Sequence, residues 1–183
     1  MEGLAEGGVM VVTKVVDAPV ARVWAVFTDL ARRPSWLSEV ESVEVLTPGP
    51  LRESTTWRET RLGVEGDLVT EQLIVTAVEP ERACVIALDP PGTSGGQLTY
   101  LFAPIDVGPH RGGTAVTAIP AGRMAGKTSG LAGRMLAFVV GTFAARTAEG
   151  ALRDELDALA AACVARSDEE QATGPDGDRP QAA

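Results

Sequence analysis

The residues best suited to chemistry lie on two adjoining segments with a two-residue period. Leu68–Val78 reads LVTEQLIVTAV, in which Thr70, Gln72, Ile74 and Thr76 make a mostly polar face. Val69, Glu71, Leu73, Val75 and Ala77 make the apolar one, and Glu71 interrupts it. The segment Thr55–Leu62 carries Trp57, Glu59 and Arg61 at the same spacing. A symmetric hairpin centred on Glu65 sets Glu59 opposite Glu71, Trp57 opposite Leu73 and Arg61 opposite Val69. Trp57 facing Leu73 suits an inward face, so the two carboxylates face each other on the concave side. Like charges directly opposite are unfavourable, and half-buried carboxyls rise in pKa. Three outcomes follow: Arg61 neutralises the pair diagonally, the register differs by a residue, or one carboxyl stays protonated and serves a ligand. Such a carboxyl could be a structural partner of arginine, a polar handle in an apolar cavity, or a general acid/base.

Other side chains join the same list. Leu98, Tyr100 and Phe102 alternate onto one face of Gly96–Pro104, and Tyr100, the sole tyrosine, adds an orienting hydroxyl. Met135, Phe138, Val139 and Thr142 fall on a helical stripe that would face them. Trp36 follows Pro34 and stands where a ligand could touch it. Glu59, Glu71 and Tyr100 are thus the catalytic candidates. The binding candidates are Trp36, Trp57, Glu59, Arg61, Glu71, Leu73, Tyr100, Phe102, Met135, Phe138, Val139 and Thr142. His110, the sole histidine, lies in a Gly/Pro-rich turn and reads as exposed, so no nucleophile relay and no metal set can be built on it. Ala125-Gly126-Lys127-Thr128 lacks the first glycine of a phosphate loop and the parallel-strand setting of one. That segment reads as a flexible lid, and no cofactor or metal is expected.

The bulk numbers narrow the field. A chain of 183 residues, 45% hydrophobic, suits one domain with a core of its own. Its net charge of -9 argues against a nucleic-acid partner, which requires a basic face. Cys84 and Cys163 stand far apart in apolar surroundings and read as buried thiols of a reducing cytoplasm. The first ten residues resemble no secretory signal, and the run Leu136–Ala145 is too short for membrane insertion. Composition places a flexible N-terminus at 1–8 and a disordered tail at 167–183, which leaves one domain at 9–166. Oligomeric state is not legible.

These side chains need elements to hold them. Val9–Val16 reads as a first strand. Asp17 is placed to cap a short helix with Pro19 in its first turn, and Val20, Val23, Trp24 and Phe27 share its apolar face. Pro34 is expected to stop a second helical turn. Strands follow at Val40–Thr47, Thr55–Leu62, Leu68–Val78, Arg82–Leu88, Gly96–Pro104 and Gly113–Ile119, joined by short loops as in an antiparallel meander. Last comes a long helix whose stripe includes Leu131, Met135, Phe138, Thr142, Ala145, Glu149, Leu152, Leu156, Leu159 and Cys163. Only this helix is long enough to cover the buried face of the sheet.

That order resembles the helix-grip superfamily known as SRPBCC or START-like, and within it the polyketide cyclase/dehydrase and lipid-transport branch. The stretches that carry the resemblance are VVDAPVARVWAVFTDLARRPSWL, VESVEVL, TAVEPERACVIAL, GGTAVT and LRDELDALAAA, together spanning roughly residues 9 to 165. The resemblance implies an α+β fold, a seven-stranded curved antiparallel sheet wrapped around the C-terminal helix, with two short helices between strands one and two. It also implies a cavity between sheet and helix for a small hydrophobic or amphipathic ligand of lipid, polyketide or isoprenoid type. On this frame Trp24 and Phe27 enter the core and Trp36 stands near the cavity mouth. A second implied function is a polyketide cyclase or aromatase working through cavity carboxylates and Tyr100. A third is a protein-interaction module without ligand, although the tryptophan-rich strand pattern of that branch is missing.

Overall fold

The structure is a computed structural model that describes residues 10–62, 66–88, 96–121 and 142–172. Strand β1 (Val12–Val16) leads into helix α1 (Val20–Thr28), a 3-10 turn (Leu30–Arg32) and the one-turn helix α2 (Arg33–Trp36). Strands β2 (Val40–Val45), β3 (Thr56–Leu62), β4 (Leu68–Glu79), β5 (Ala83–Leu88), β6 (Gln97–Pro104) and β7 (Thr114–Ala121) follow, then helix α3 (Thr142–Ala172). The seven strands form one antiparallel sheet in the order β1-β7-β6-β5-β4-β3-β2. Short loops permit only this neighbour-to-neighbour pairing from β2 to β7. The first strand closes on the last because α1 and α2 carry the chain across the open end. This is the α+β helix-grip architecture.

One face of the sheet is buried and the other faces water, which is why the strands alternate. Val16, Trp57, Val75, Cys84, Tyr100, Phe102, Val116 and Ala118 point inward and are buried. From α3, Leu156, Leu159 and Cys163 meet them, and Val23, Val26 and Phe27 enter from α1. Phe27 sits among rings: its centroid is 4.8 Å from Tyr100, 5.1 Å from Phe102 and 6.0 Å from Trp24. Trp24 in turn meets Phe102 edge-on at 5.3 Å. The two short helices therefore plug the end of the sheet with aromatic surface. Among the described residues no helix is long and apolar enough to cross a membrane.

Four details differ from the sequence reading. Asp17 does not cap α1; Pro19, extended at φ -60 and ψ 149, is the cap residue, and its carbonyl takes the Arg22 and Val23 amides. The proline holds the chain extended, so the helix starts too late for Asp17 to reach it. Pro34 does not end the second turn but opens it, occupying the first turn of α2, where its missing N–H costs nothing. A bulge between Val75 and Ala77 reverses the alternation of β4, so Ala77 turns out and Val78 packs on the core. Helix α3 runs on to Ala172, through Ser167–Ala172, which composition placed in a disordered tail. Glu, Gln and Ala are good helix formers, and extending a helix avoids the cost of nucleating one.

Candidate functional site

The hairpin between β3 and β4 brings the chemical residues together in the expected register. Glu59 pairs with Glu71, Trp57 with Leu73 and Arg61 with Val69. Glu59 is fully enclosed, with only 1% of its surface exposed, and three donors hold it there. Arg33 Nε donates to its Oε2 at 3.0 Å, Trp57 Nε1 to the same oxygen at 3.3 Å, and Arg61 Nε to its Oε1. A second buried carboxylate stands across the core on α3. Glu155 Oε1 accepts from Arg33 Nη2 at 3.1 Å and from the Tyr100 hydroxyl at 2.8 Å. Arg61 Nη2 lies 3.9 Å from Glu155 Oε2, and Arg61 Nη1 the same distance from Glu39 Oε2. Two arginines and two glutamates, balanced in charge, thus tie α2, β3 and α3 together, with the Tyr100 hydroxyl of β6 as a fifth member.

Each group's proton affinity follows from this arrangement. Burial alone would raise the Glu155 carboxyl, but the charges of Arg33 and Arg61 and the hydrogen bonds outweigh it, and its pKa is lowered. Burial would also favour neutral guanidiniums, yet the facing glutamates hold Arg33 and Arg61 more firmly protonated than usual. Burial, and then the Glu155 charge, push the Tyr100 phenol well above its ordinary range, so it is a fixed donor. The buried Cys84 thiol is pushed up to about 12 by burial, against the pull of Arg33, and is inert as a nucleophile. Arg33 Nη1 is buried without a hydrogen-bond partner among the described residues. The network is a structural clamp: both oxygens of Glu59 are engaged, and the Tyr100 hydroxyl is committed to Glu155.

Glu71 is different. It is half-buried and holds no ion pair among the described residues. Burial raises its carboxyl, Arg61 opposes that, and the Glu59 charge adds to it. A carboxyl raised in the folded state stabilises the fold most below its unfolded pKa, and that contribution disappears as pH rises through its folded pKa. Glu71→Gln is therefore expected to gain stability near pH 7 and none near pH 4, by less than about 1 kcal/mol because water screens a half-buried group. Urea unfolding of both proteins from pH 4 to pH 8 measures it, and equal midpoint shifts across that range would contradict the assignment.

Of the other sequence candidates, Trp57, Tyr100 and Phe102 are buried in the core, and Leu73 packs partly buried against it. Trp36 is half-buried at the end of α2, with the Arg33 guanidinium 5.5 Å from its ring centroid. Met135, Phe138 and Val139 lie outside the described residues, as do the segment around Ala125-Gly126-Lys127-Thr128 that was expected as a lid and the residues before Thr142 that were expected as helix. Thr142 is the first described residue of α3, and only its backbone position is defined. His110 is exposed in the β6–β7 turn, as expected. Sequence reasoning passed over Arg33 and Glu155. Glu155 could have been found: it lies three residues after Leu152 and four before Leu159, within the apolar face of α3. Arg33 carried no such sign, because only the position of α2 turns it inward.

The inner face is not covered evenly. Trp57, Val75, Tyr100 and Phe102 are sealed, whereas Arg61, Val69, Glu71, Leu73 and Leu98 at the other end of the same face are only partly covered. Two surface clefts lie elsewhere and include no member of the charged network. One of about 310 Å³ runs between the start of α1 and the β6–β7 turn, lined by Pro19, Val20, Ile105 and Arg111 among others. The other, about 160 Å³, lies between the α1–α2 connection and the β2–β3 loop.

Solved structures share this architecture. TTHA0849 from Thermus thermophilus superposes with a TM-score of 0.65 at 20% identity, covering 87% of this chain and 99% of that one. Ara h 8.0201 matches with a TM-score of 0.61 at 10% identity, over 86% of this chain and 99% of that one. The di-domain ARO/CYC BexL from the BE-7585A biosynthetic pathway gives 0.57 at 16% identity, over 85% of this chain and 48% of its own length. At such identities these likenesses show the fold alone. No curated protein matches the chain in sequence. A family match does run from residue 8 to residue 164, through the β1–α1–α2 segment, the whole sheet and the buried part of α3. The chain belongs to the polyketide cyclase / dehydrase and lipid transport family.

Proposed function

We propose that the protein binds a small hydrophobic or amphipathic ligand, of lipid, polyketide or isoprenoid type, between the sheet and α3, and does so in the cytoplasm without catalysing a reaction. The observation that carries this is the uneven covering of the inner face. At this end Val69, Leu73 and Leu98 set partly covered apolar side chains around Arg61 and Glu71. Apolar side chains around a few polar groups are the usual composition of a small-molecule site. Arg61 and Glu71 supply those polar groups, and Trp36 stands at the end of α2 as a candidate rim. Family membership supports the same reading. The charged clamp supports carriage over catalysis, since it engages both oxygens of Glu59 and commits the Tyr100 hydroxyl to Glu155.

Native mass spectrometry of the full chain, incubated with a panel of fatty alcohols, isoprenoid alcohols and aromatic polyketides, tests it. Loading of at least one class, reduced at least about tenfold by Leu73→Arg, is the expected result, since a charge in an apolar site costs several kcal/mol unless paired. A folded protein that loads nothing overturns the reading. A second reading, a cyclase or aromatase, is favoured by one observation: Glu71 is a half-buried carboxyl on the inner face, outside the charged clamp, and burial raises its pKa. Turnover of a linear polyketide chain, abolished by Glu71→Gln, would establish it.

A further inference from the structure

We propose that the outer face of the sheet, across β1, β7, β6 and β5, is where two copies of this chain pair, sheet against sheet. This surface lies on the opposite side of the sheet from the ligand site proposed above, so the inference stands independently of that reading.

An antiparallel sheet face that meets only water carries polar and charged residues outward. Here the outward positions of residues 11–15, 115–119, 99–103 and 83–87, neighbours across the ladder, hold only valine, threonine, alanine, leucine and isoleucine. No charge stands among them, in a chain that is 22% charged. Val11, Val15 and Leu101 are exposed, so this is open apolar surface and not core. The face also satisfies some of its own hydroxyls, since Thr13 and Thr117 bond each other across the β1–β7 pair at 2.9 Å. The other half of the outer face is different: on β2 and β3, Glu44 and Arg58 form an exposed ion pair. At one end the charge-free area is bordered by the exposed Asp17, Arg82, Asp106 and Arg111. An apolar centre bordered by charge is the pattern of a protein interface.

A second copy is the partner that fits. Each chain carries a net charge of -9, so two copies repel wherever their charged surfaces meet. On this face they touch with no like charges opposed. A strongly charged partner, by contrast, finds nothing here to pair with. Leu101 pairs with Ala83 on β5 and has Ala103 two positions on, a ridge beside hollows. That relief suits two copies of one sheet stacked about 10 Å apart around a two-fold axis. Four strands about 4.8 Å apart, each showing about 17 Å of its length, outline roughly 300 Å² per copy. A stable complex of standard size covers about 800 Å² per partner, so this pairing is a reversible one, weaker than micromolar.

Sedimentation velocity of the full chain, from about 10 µM to about 1 mM, tests it at low and high salt. A monomer–dimer equilibrium is expected, tightened at least about threefold by the higher salt. Screening removes the repulsion between copies, while the gain from burying apolar surface remains. Leu101→Glu, which carries a carboxylate from each copy into the interface, should weaken the dimer at least about tenfold. Thr70→Glu adds the same charge to the outer face of β4, beyond the charge-free area, and should change it less than about twofold. A chain that stays monomeric throughout overturns the proposal. So does a dimer that salt weakens or that Leu101→Glu leaves intact, because its interface then lies elsewhere. Urea unfolding of Leu101→Glu decides one more case. A small midpoint shift is expected at an exposed position; a large loss in a monomeric chain would put another segment of the same chain on this face, and that too overturns the proposal.

Discussion

Arg33→Ala is expected to lower the unfolding free energy by about 3–5 kcal/mol, enough to leave a domain of this size marginal. Arg33 is 3% exposed and hydrogen-bonds both buried glutamates, at 3.0 Å and 3.1 Å. Among the described residues, removing it leaves Glu155 the Tyr100 hydroxyl and a more distant Arg61, and takes one of three donors from Glu59. A buried carboxylate deprived of its cation costs far more than the ion pair contributed when intact, because desolvation remains while the compensation is gone. Urea denaturation of Arg33→Ala measures the loss. The companion variant combines Arg33→Met with Glu59→Leu and Glu155→Leu, removing the charges together. It is expected to recover most of the loss, since apolar side chains of similar volume satisfy the same space. A single variant costing under about 1 kcal/mol would show that the clamp is not the tie described here. Acid should weaken the same clamp: the lowered Glu155 carboxyl contributes stability above its unfolded pKa, lost as pH falls through its folded pKa.

The second large effect is expected at Phe27, where truncation to alanine should cost about 3–5 kcal/mol. Its ring is 2% exposed and meets Tyr100, Phe102 and Trp24 within 6.0 Å, so the cavity left by its removal is walled by rigid aromatic groups. Such walls collapse poorly, which puts the cost at the upper part of the range for a core substitution. Phe27→Leu, which keeps much of the volume, should cost less than half as much. Trp24→Ala, at a half-buried ring, is expected to fall between them. Thermal and urea unfolding of the three variants tests the ranking, and a Phe27→Ala protein as stable as Phe27→Leu would mean that α1 is not a packed plug.

Much of this fold is local in origin and therefore legible in the chain. The period of two along Thr56–Leu62 and Leu68–Val75, with a symmetric turn between them, determined the β3–β4 register and the pairing of Glu59 with Glu71. The seven strands and the long amphipathic helix could be placed because apolar spacing, helix breakers and turn residues act within a few positions of one another. Where two local signals competed, the reading failed. Pro34 suits the first turn of a helix as well as the end of one, and the β4 bulge at Thr76 leaves no mark in the alternation of residue types before it.

What lay beyond the sequence was the state of its most chemical residues. Glu59 and Glu71 are the same residue type on neighbouring strands, yet one is sealed in a clamp and the other carries a raised carboxyl at a partly open edge. That difference is made by Arg33, 26 residues before Glu59, and by Glu155, which Arg33 joins across 122 residues. No spacing rule connects them; they meet because α2 and α3 pack on the same end of one sheet. Sequence alone determined which groups could carry charge and which strand each stood on. Tertiary structure decided which charges cancel, because electrostatic energy depends on distance and burial, and both are set only when distant segments close around a common core.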